Sequence, residues 1–90
     1  MAMAVIDRDA RRVRRALGGD SAAFTELVTR HMPAVRAVAR ACTGNLADAE
    51  DVVQEAFLKA WLSLDTLQEP GRFGGWVVTI ARNVARSQLR

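Results

Sequence analysis

Residues 45–64 read NLADAEDVVQEAFLKAWLSL, and this stretch decides the fold. Leu46, Ala49, Val52, Val53, Ala56, Phe57, Ala60, Trp61 and Leu64 recur at spacings of three and four. At about 100° per residue they share one arc of an amphipathic helix. Asn45 is suited to cap the first turn, and Asp48, Glu50 and Asp51 place negative charge at the positive end of the helix dipole. The opposite arc holds Asp51, Glu55, Leu58 and Leu62, with Gln54 at its edge. Leucines that point away from a core, beside carboxylates, suit a docking surface; scattered leucines on a solvated face are the plainer alternative.

Working outward, Thr43-Gly44 marks a break before this helix. Asp20 is a good N-cap for a preceding helix that runs to about Cys42, with Phe24, Leu27, Val28, Val35, Val38 and Cys42 on its apolar face. Pro33 lies inside that pattern, and the periodicity continues across it, so a kink is expected rather than an end. His31 falls on the core-facing arc and reads as a hydrogen-bonded packing residue; Cys42 reads as a small buried apolar one. Arg36 and Arg40 point outward, and Glu50 is a candidate partner for such an arginine. Residues 1–5 read as a frayed end. Ile6, Ala10, Val13 and Leu17 then keep helical spacing among Arg8, Arg11, Arg12, Arg14 and Arg15, until Gly18-Gly19 ends the helix. That arginine run suits either DNA phosphates or a solvated basic face.

On the C-terminal side, DTLQEPGRFGG forms a loop with Pro70-Gly71 as its turn signal. A last helix begins near Phe73, with Phe73, Trp76, Val77, Ile80 and Val84 as its apolar stripe. Arg82, Arg86 and Arg90 form a row opposite, beside Thr79 and Asn83, and the helix carries no acid. A row of this kind suits a phosphate backbone better than a merely solubilising face does. Phe57, Trp61, Trp76 and Ile80 are expected to meet at the centre, with both tryptophans buried.

Ninety residues make one domain with a modest core. No apolar run is long enough to span a membrane or resembles a signal peptide. One cysteine permits no internal disulfide, and one histidine leaves no Cys/His zinc set, so cytoplasmic residence and no cofactor or metal are expected. No phosphate-cradling glycine loop and no nucleophile–base pair is present, which argues against an enzyme. The net charge of +3 conceals a partition. Residues 1–42 hold eight arginines against four acids, residues 43–69 one lysine against six acids, and residues 70–90 four arginines and no acid. Basic, acidic and basic segments in that order suggest one surface for nucleic acid and another for a basic protein.

DAEDVVQEAFLKAW, followed after a short loop by F-x-x-W-x-x-x-I-A-R-N, resembles region 2 of bacterial RNA polymerase sigma factors of the sigma-70 family. Within that group it is most similar to the small extracytoplasmic-function (ECF) class. The likeness covers roughly residues 20–90, in the family's order and spacing. It implies an all-α bundle of three to four helices for residues 20–90, and the basic helix read in residues 1–19 is expected to belong to the same domain. It also implies a domain that performs no covalent chemistry, binds the β′ clamp helices of core RNA polymerase and engages the promoter −10 element on the non-template strand. Matching positions assign Asp51, Gln54 and Glu55 to the polymerase contact, with Leu58 and Leu62 on the same arc. The match also assigns the loop, with Asp65, Thr66, Gln68, Glu69 and Arg72, and in the last helix Arg82 and Asn83, to promoter DNA; Thr79, Arg86 and Arg90 join them through the arginine row. An anti-sigma protein is a further expected partner. Family members carry a second domain that reads the −35 element; it has no counterpart here, so the chain reads as a fragment or excised domain. A stand-alone helix-turn-helix module and a purely protein-binding bundle remain as alternatives. The former sits badly with the long loop and acidic preceding helix, the latter with the acid-free arginine row.

Overall fold

A computed structural model describes the backbone of residues 2–88, with side chains from residue 8. Four α-helices make up the bundle: α1 (Ala2–Leu17), α2 (Ser21–Thr43), α3 (Leu46–Leu62) and α4 (Phe73–Gln88). Two single 3-10 turns, Leu64–Thr66 and Pro70–Arg72, punctuate the connection between α3 and α4. The first helix thus begins at Ala2 instead of fraying to Val5; the segment AMAV contains no glycine or proline to prevent it.

Each boundary has a local cause. Asp20 accepts from the backbone N–H groups of Ala22 and Ala23, and the Asn45 side chain accepts from that of Asp48, so two N-termini are satisfied by side chains. Gly44 closes α2 in the left-handed region at φ 78°, where a glycine pays no steric penalty. Within α2 the helix continues through Pro33.

Helix α3 packs between α2 and α4, which also touch each other, while α1 lies along α2 and against the Pro70–Arg72 turn. Many of the fully buried positions hold small residues: Ala39 of α2, Ala49, Ala56 and Ala60 of α3, and Ala81 and Ala85 of α4. The largest fully buried side chains are Phe73, Leu27, Val13, Val35, Val52 and Val77. This corrects the expected centre. Phe57 is buried, but Ile80 and Trp76 are only partly so, and Trp61 is 41% exposed. The small residues that fill much of the interior leave little room for an indole, and Trp61 stands at the rim with its ring edge-on to Phe24, centroids 4.9 Å apart. Leu46 and Leu17 are likewise exposed although periodicity put them on apolar stripes. The Arg36–Glu50 ion pair expected between α2 and α3 is present at 3.1 Å. Among the described residues no helix is long and apolar enough to cross a membrane, and no cluster of metal-ligating side chains occurs.

Candidate functional site

Two surfaces stand out, and they differ in chemistry. The first is the outer face of α3. Asp51 and Gln54 are exposed, Glu55 is half-buried and pairs with Lys59 at 3.5 Å. Leu58 and Leu62 are 57% and 71% exposed, and the displaced Trp61 adjoins them. A tryptophan, two leucines and a carboxylate-bearing edge on one helix form an amphipathic patch larger than isolated surface leucines produce. The sequence had marked all of this patch except Trp61.

The second surface is concave. An open cavity of about 620 Å³ lies between the loop and the first turns of α4, lined by Leu67, Gln68, Glu69, Gly71 and Arg72 on one side. Gly74, Gly75, Trp76 and Thr79 line the other, and Asp9 and His31 reach it from α1 and α2. Its size falls within the ~300–1,000 Å³ typical of small-ligand clefts. The cavity divides the loop in two. Leu64 is buried and anchors the first half, where Thr66 donates its hydroxyl to the Ser63 carbonyl at 2.6 Å. Asp65 and Thr66 therefore stand apart from the cavity, whereas Gln68, Glu69 and Arg72 line it, the last two paired at 3.5 Å.

On α4, Trp76 departs from the core position expected of it. It is half-buried, packs on Phe73 with centroids 5.8 Å apart, and forms part of the cavity wall. Thr79 lines the same wall and donates its hydroxyl to the Gly75 carbonyl. Arg82, Asn83 and Arg86 are exposed, and neither arginine forms an ion pair among the described residues. Asn83 borders a second, smaller groove of about 270 Å³ with Lys59, Ser63, Ile80, Val84 and Ser87. Arg90 lies outside the described residues.

Beneath the cavity sits the one buried charged side chain among the described residues. Asp9 is 3% exposed and receives His31 Nε2 at 2.8 Å, Arg30 Nε at 3.3 Å and Arg12 at 3.4 Å. Nothing in the sequence singled out Asp9, whereas His31 was expected as a hydrogen-bonded packing residue, and its bond to Asp9 is that hydrogen bond. The available signal was Gly74-Gly75: two glycines in a helix's first turns cost stability unless something must approach closely. A Cβ at Gly74 would come within 2.7 Å of the His31 ring; one at Gly75 would meet nothing within 4 Å.

The arginines of α1 are divided in their use. Arg12 and Arg15 pair with Glu26 at 3.0 and 3.2 Å, and Arg15 also pairs with Asp20 at 2.9 Å. Hydrogen bonds from Arg15 hold the Asp20 carboxyl below its ordinary value, those from Arg12 and then Arg15 do the same for Glu26, and Asp20 in turn raises Arg15. These two arginines tie α1 to α2, which leaves Arg8, Arg11 and Arg14 as the outward basic face.

The structure thus joins a four-helix bundle, an acidic, leucine-bearing face on one helix and a loop cavity leading to a basic helix. Residues 27–90 match the family model described as Sigma-70 region 2, and the chain belongs to that family. It is 43% identical over 75 residues to the "Probable RNA polymerase sigma factor RfaY" of Xanthomonas campestris pv. campestris, covering 83% of this chain and 19% of that protein. With the ECF RNA polymerase sigma-E factor of Escherichia coli it shares 38% identity over 77 residues, 86% of this chain and 40% of the relative. The ECF RNA polymerase sigma factor SigW of Bacillus subtilis is 29% identical over 80 residues, 89% and 43% of the two chains. The chain thus spans less than half the length of each of these relatives.

Proposed function

We propose that this chain is the part of an ECF sigma factor that joins core RNA polymerase to the promoter −10 element during transcription initiation. The observation that carries the reading is the cavity between the loop and α4. It is bounded by an indole, by the polar side chains of Gln68, Glu69, Arg72 and Thr79 and by three glycines, and Arg82 and Arg86, without ion pairs among the described residues, lie further along the same helix. An aromatic wall with hydrogen-bonding side chains suits an unstacked base, and arginines without acidic partners suit the adjoining phosphates. Duplex DNA does not present a base in that form, so the cavity favours the separated non-template strand.

The α3 face serves the protein partner. Asp51, Gln54 and Glu55 supply polar contacts to the basic edge of the β′ clamp helices, and Leu58, Trp61 and Leu62 supply the apolar centre. An anti-sigma protein that covered the same patch would keep the factor from polymerase. The chain acts by binding and performs no covalent step, and its place of work is the cytoplasm, where polymerase and chromosome are.

Gel-shift measurements with single-stranded and duplex −10 DNA, each with and without core polymerase, test this. The chain is expected to bind core polymerase and, in that complex, to hold the non-template single strand more tightly than the duplex. Equal binding of duplex and single strand without polymerase would point to a stand-alone DNA-binding module. Failure to bind core polymerase would assign the α3 face to another protein.

A further inference from the structure

The His31 ring is fixed on three sides. Its Nε2 meets the buried Asp9 carboxylate at 2.8 Å, its face packs on Phe73 with centroids 5.5 Å apart, and its Cε1–Nδ1 edge lies over Gly74 at the cavity wall. A carboxylate oxygen only accepts, so the Asp9 contact assigns a proton to Nε2. Arg12 and Arg30 also face the Asp9 carboxylate, at 3.4 and 3.3 Å. With Nε2 carrying the proton of the neutral ring, Nδ1 is a bare lone pair. Among the described residues it has no hydrogen-bond partner, yet no buried side-chain nitrogen or oxygen there is left unpaired. Nδ1 is therefore reached from the cavity that His31 lines.

Resting on the base-capture reading above, we propose that His31 is a specificity-determining residue of the cavity. Its Nδ1 accepts a hydrogen bond from the exocyclic amino group of the captured base, and Asp9 is the positioning residue that keeps this lone pair free. Cytosine and adenine present an amino group on the Watson–Crick edge. Thymine carries its O4 carbonyl where cytosine carries the amino group, so it can meet the lone pair only by shifting to offer its ring N3–H. The preference for an amino-bearing base over thymine is then roughly threefold to tenfold, the worth of one neutral hydrogen bond.

The test uses the full chain and single-stranded deoxyoligonucleotides of −10 sequence that carry dC, dA or dT at each position in turn. Ring-nitrogen correlation spectra of the parent should show the Nε2–H tautomer, with an Nδ1 resonance that moves when the dC or dA strand binds and stays for dT. His31→Phe keeps an aromatic ring against Phe73 while removing both nitrogens, and should reduce the preference to within about twofold while strand binding persists. A doubly protonated ring, an Nδ1–H tautomer, or an Nδ1 response identical for dT would overturn the role of His31. If Trp76 and Thr79 respond alike to every base, only the His31 assignment falls. If they respond to no oligonucleotide, base capture itself falls and His31 with it.

Discussion

Gly74→Ala probes the joint between the cavity and the bundle. A Cβ at this position would stand 2.7 Å from His31 Cε1 and 2.9 Å from Nδ1, inside any tolerable contact. A free side chain would swing aside at little cost. His31 is not free, because Asp9 holds Nε2 at 2.8 Å and Phe73 backs the ring. Overpacking against a held group costs about 1–3 kcal/mol, and the gain in helix propensity from Gly to Ala returns roughly 0.5–1 kcal/mol. The net destabilisation is about 1–2 kcal/mol, and at ~4–8 °C per kcal/mol for a domain of this size the melting temperature falls by roughly 5–15 °C. Gly75→Ala is the control. Its Cβ would meet nothing within 4 Å, so only the propensity gain remains and the variant melts slightly higher, by a few degrees. Thermal melts followed by circular dichroism read both. The cost of Gly74→Ala should largely vanish in a His31→Ala background, since the clashing ring is then gone. A Gly74→Ala protein that melts at or above the parent would refute the claim that Asp9 and Phe73 fix the ring.

Further predictions concern the two surfaces and the α1–α2 joint. Asp51→Ala and Gln54→Ala should each weaken core polymerase binding by about tenfold while melting near the parent, whereas Leu62→Asp should weaken it more, as checked by affinity titration; unaltered binding in all three would place the docking face elsewhere. Arg86→Ala should weaken single-strand binding for every sequence alike and lower the slope of log K against log salt by about 0.7. Asp20 and Glu26 are held below their ordinary values of 3.8 and 4.5, so the stability they contribute is present above those values and is lost as pH falls through the lowered ones. Melting temperature against pH should therefore drop in the acid range, and Arg15→Ala should flatten that drop. Acrylamide should quench Trp61 readily and Trp76 less, because Trp61 is 41% exposed and Trp76 is sheltered by Phe73.

The helices were legible because their signals are local. Asp20, Asn45 and Gly44 mark ends through the conformations and hydrogen bonds that their own side chains, or the lack of one, permit. The three- and four-residue spacing identifies which arc of α3 turns inward, and it correctly left Leu58 and Leu62 outside. Spacing gives direction but not depth. Leu46 and Trp61 fall on the apolar arc of α3 yet stand at the two ends of the helix, and both are exposed. The cavity was half legible. The loop and Thr79 could be named from the chain because they are near neighbours in it. Asp9 and His31 come from different helices, 22 residues apart, and meet the loop only because α1 packs against the Pro70–Arg72 turn. No local pattern encodes that meeting, although the paired glycines hinted that a side chain from elsewhere would press close.

In the proposed function the cavity between the loop and α4 receives an unstacked base, while the arginines beyond it hold phosphates. The most direct measurement is a map of backbone-amide shifts for the chain titrated with single-stranded −10 DNA and, separately, with the same sequence as duplex. Gln68, Gly75, Trp76 and Thr79 are expected to respond to the single strand and stay unmoved by the duplex, with Arg82 and Arg86 responding to both. Shifts confined to Arg82 and Arg86, equal for the two forms of DNA, would contradict it.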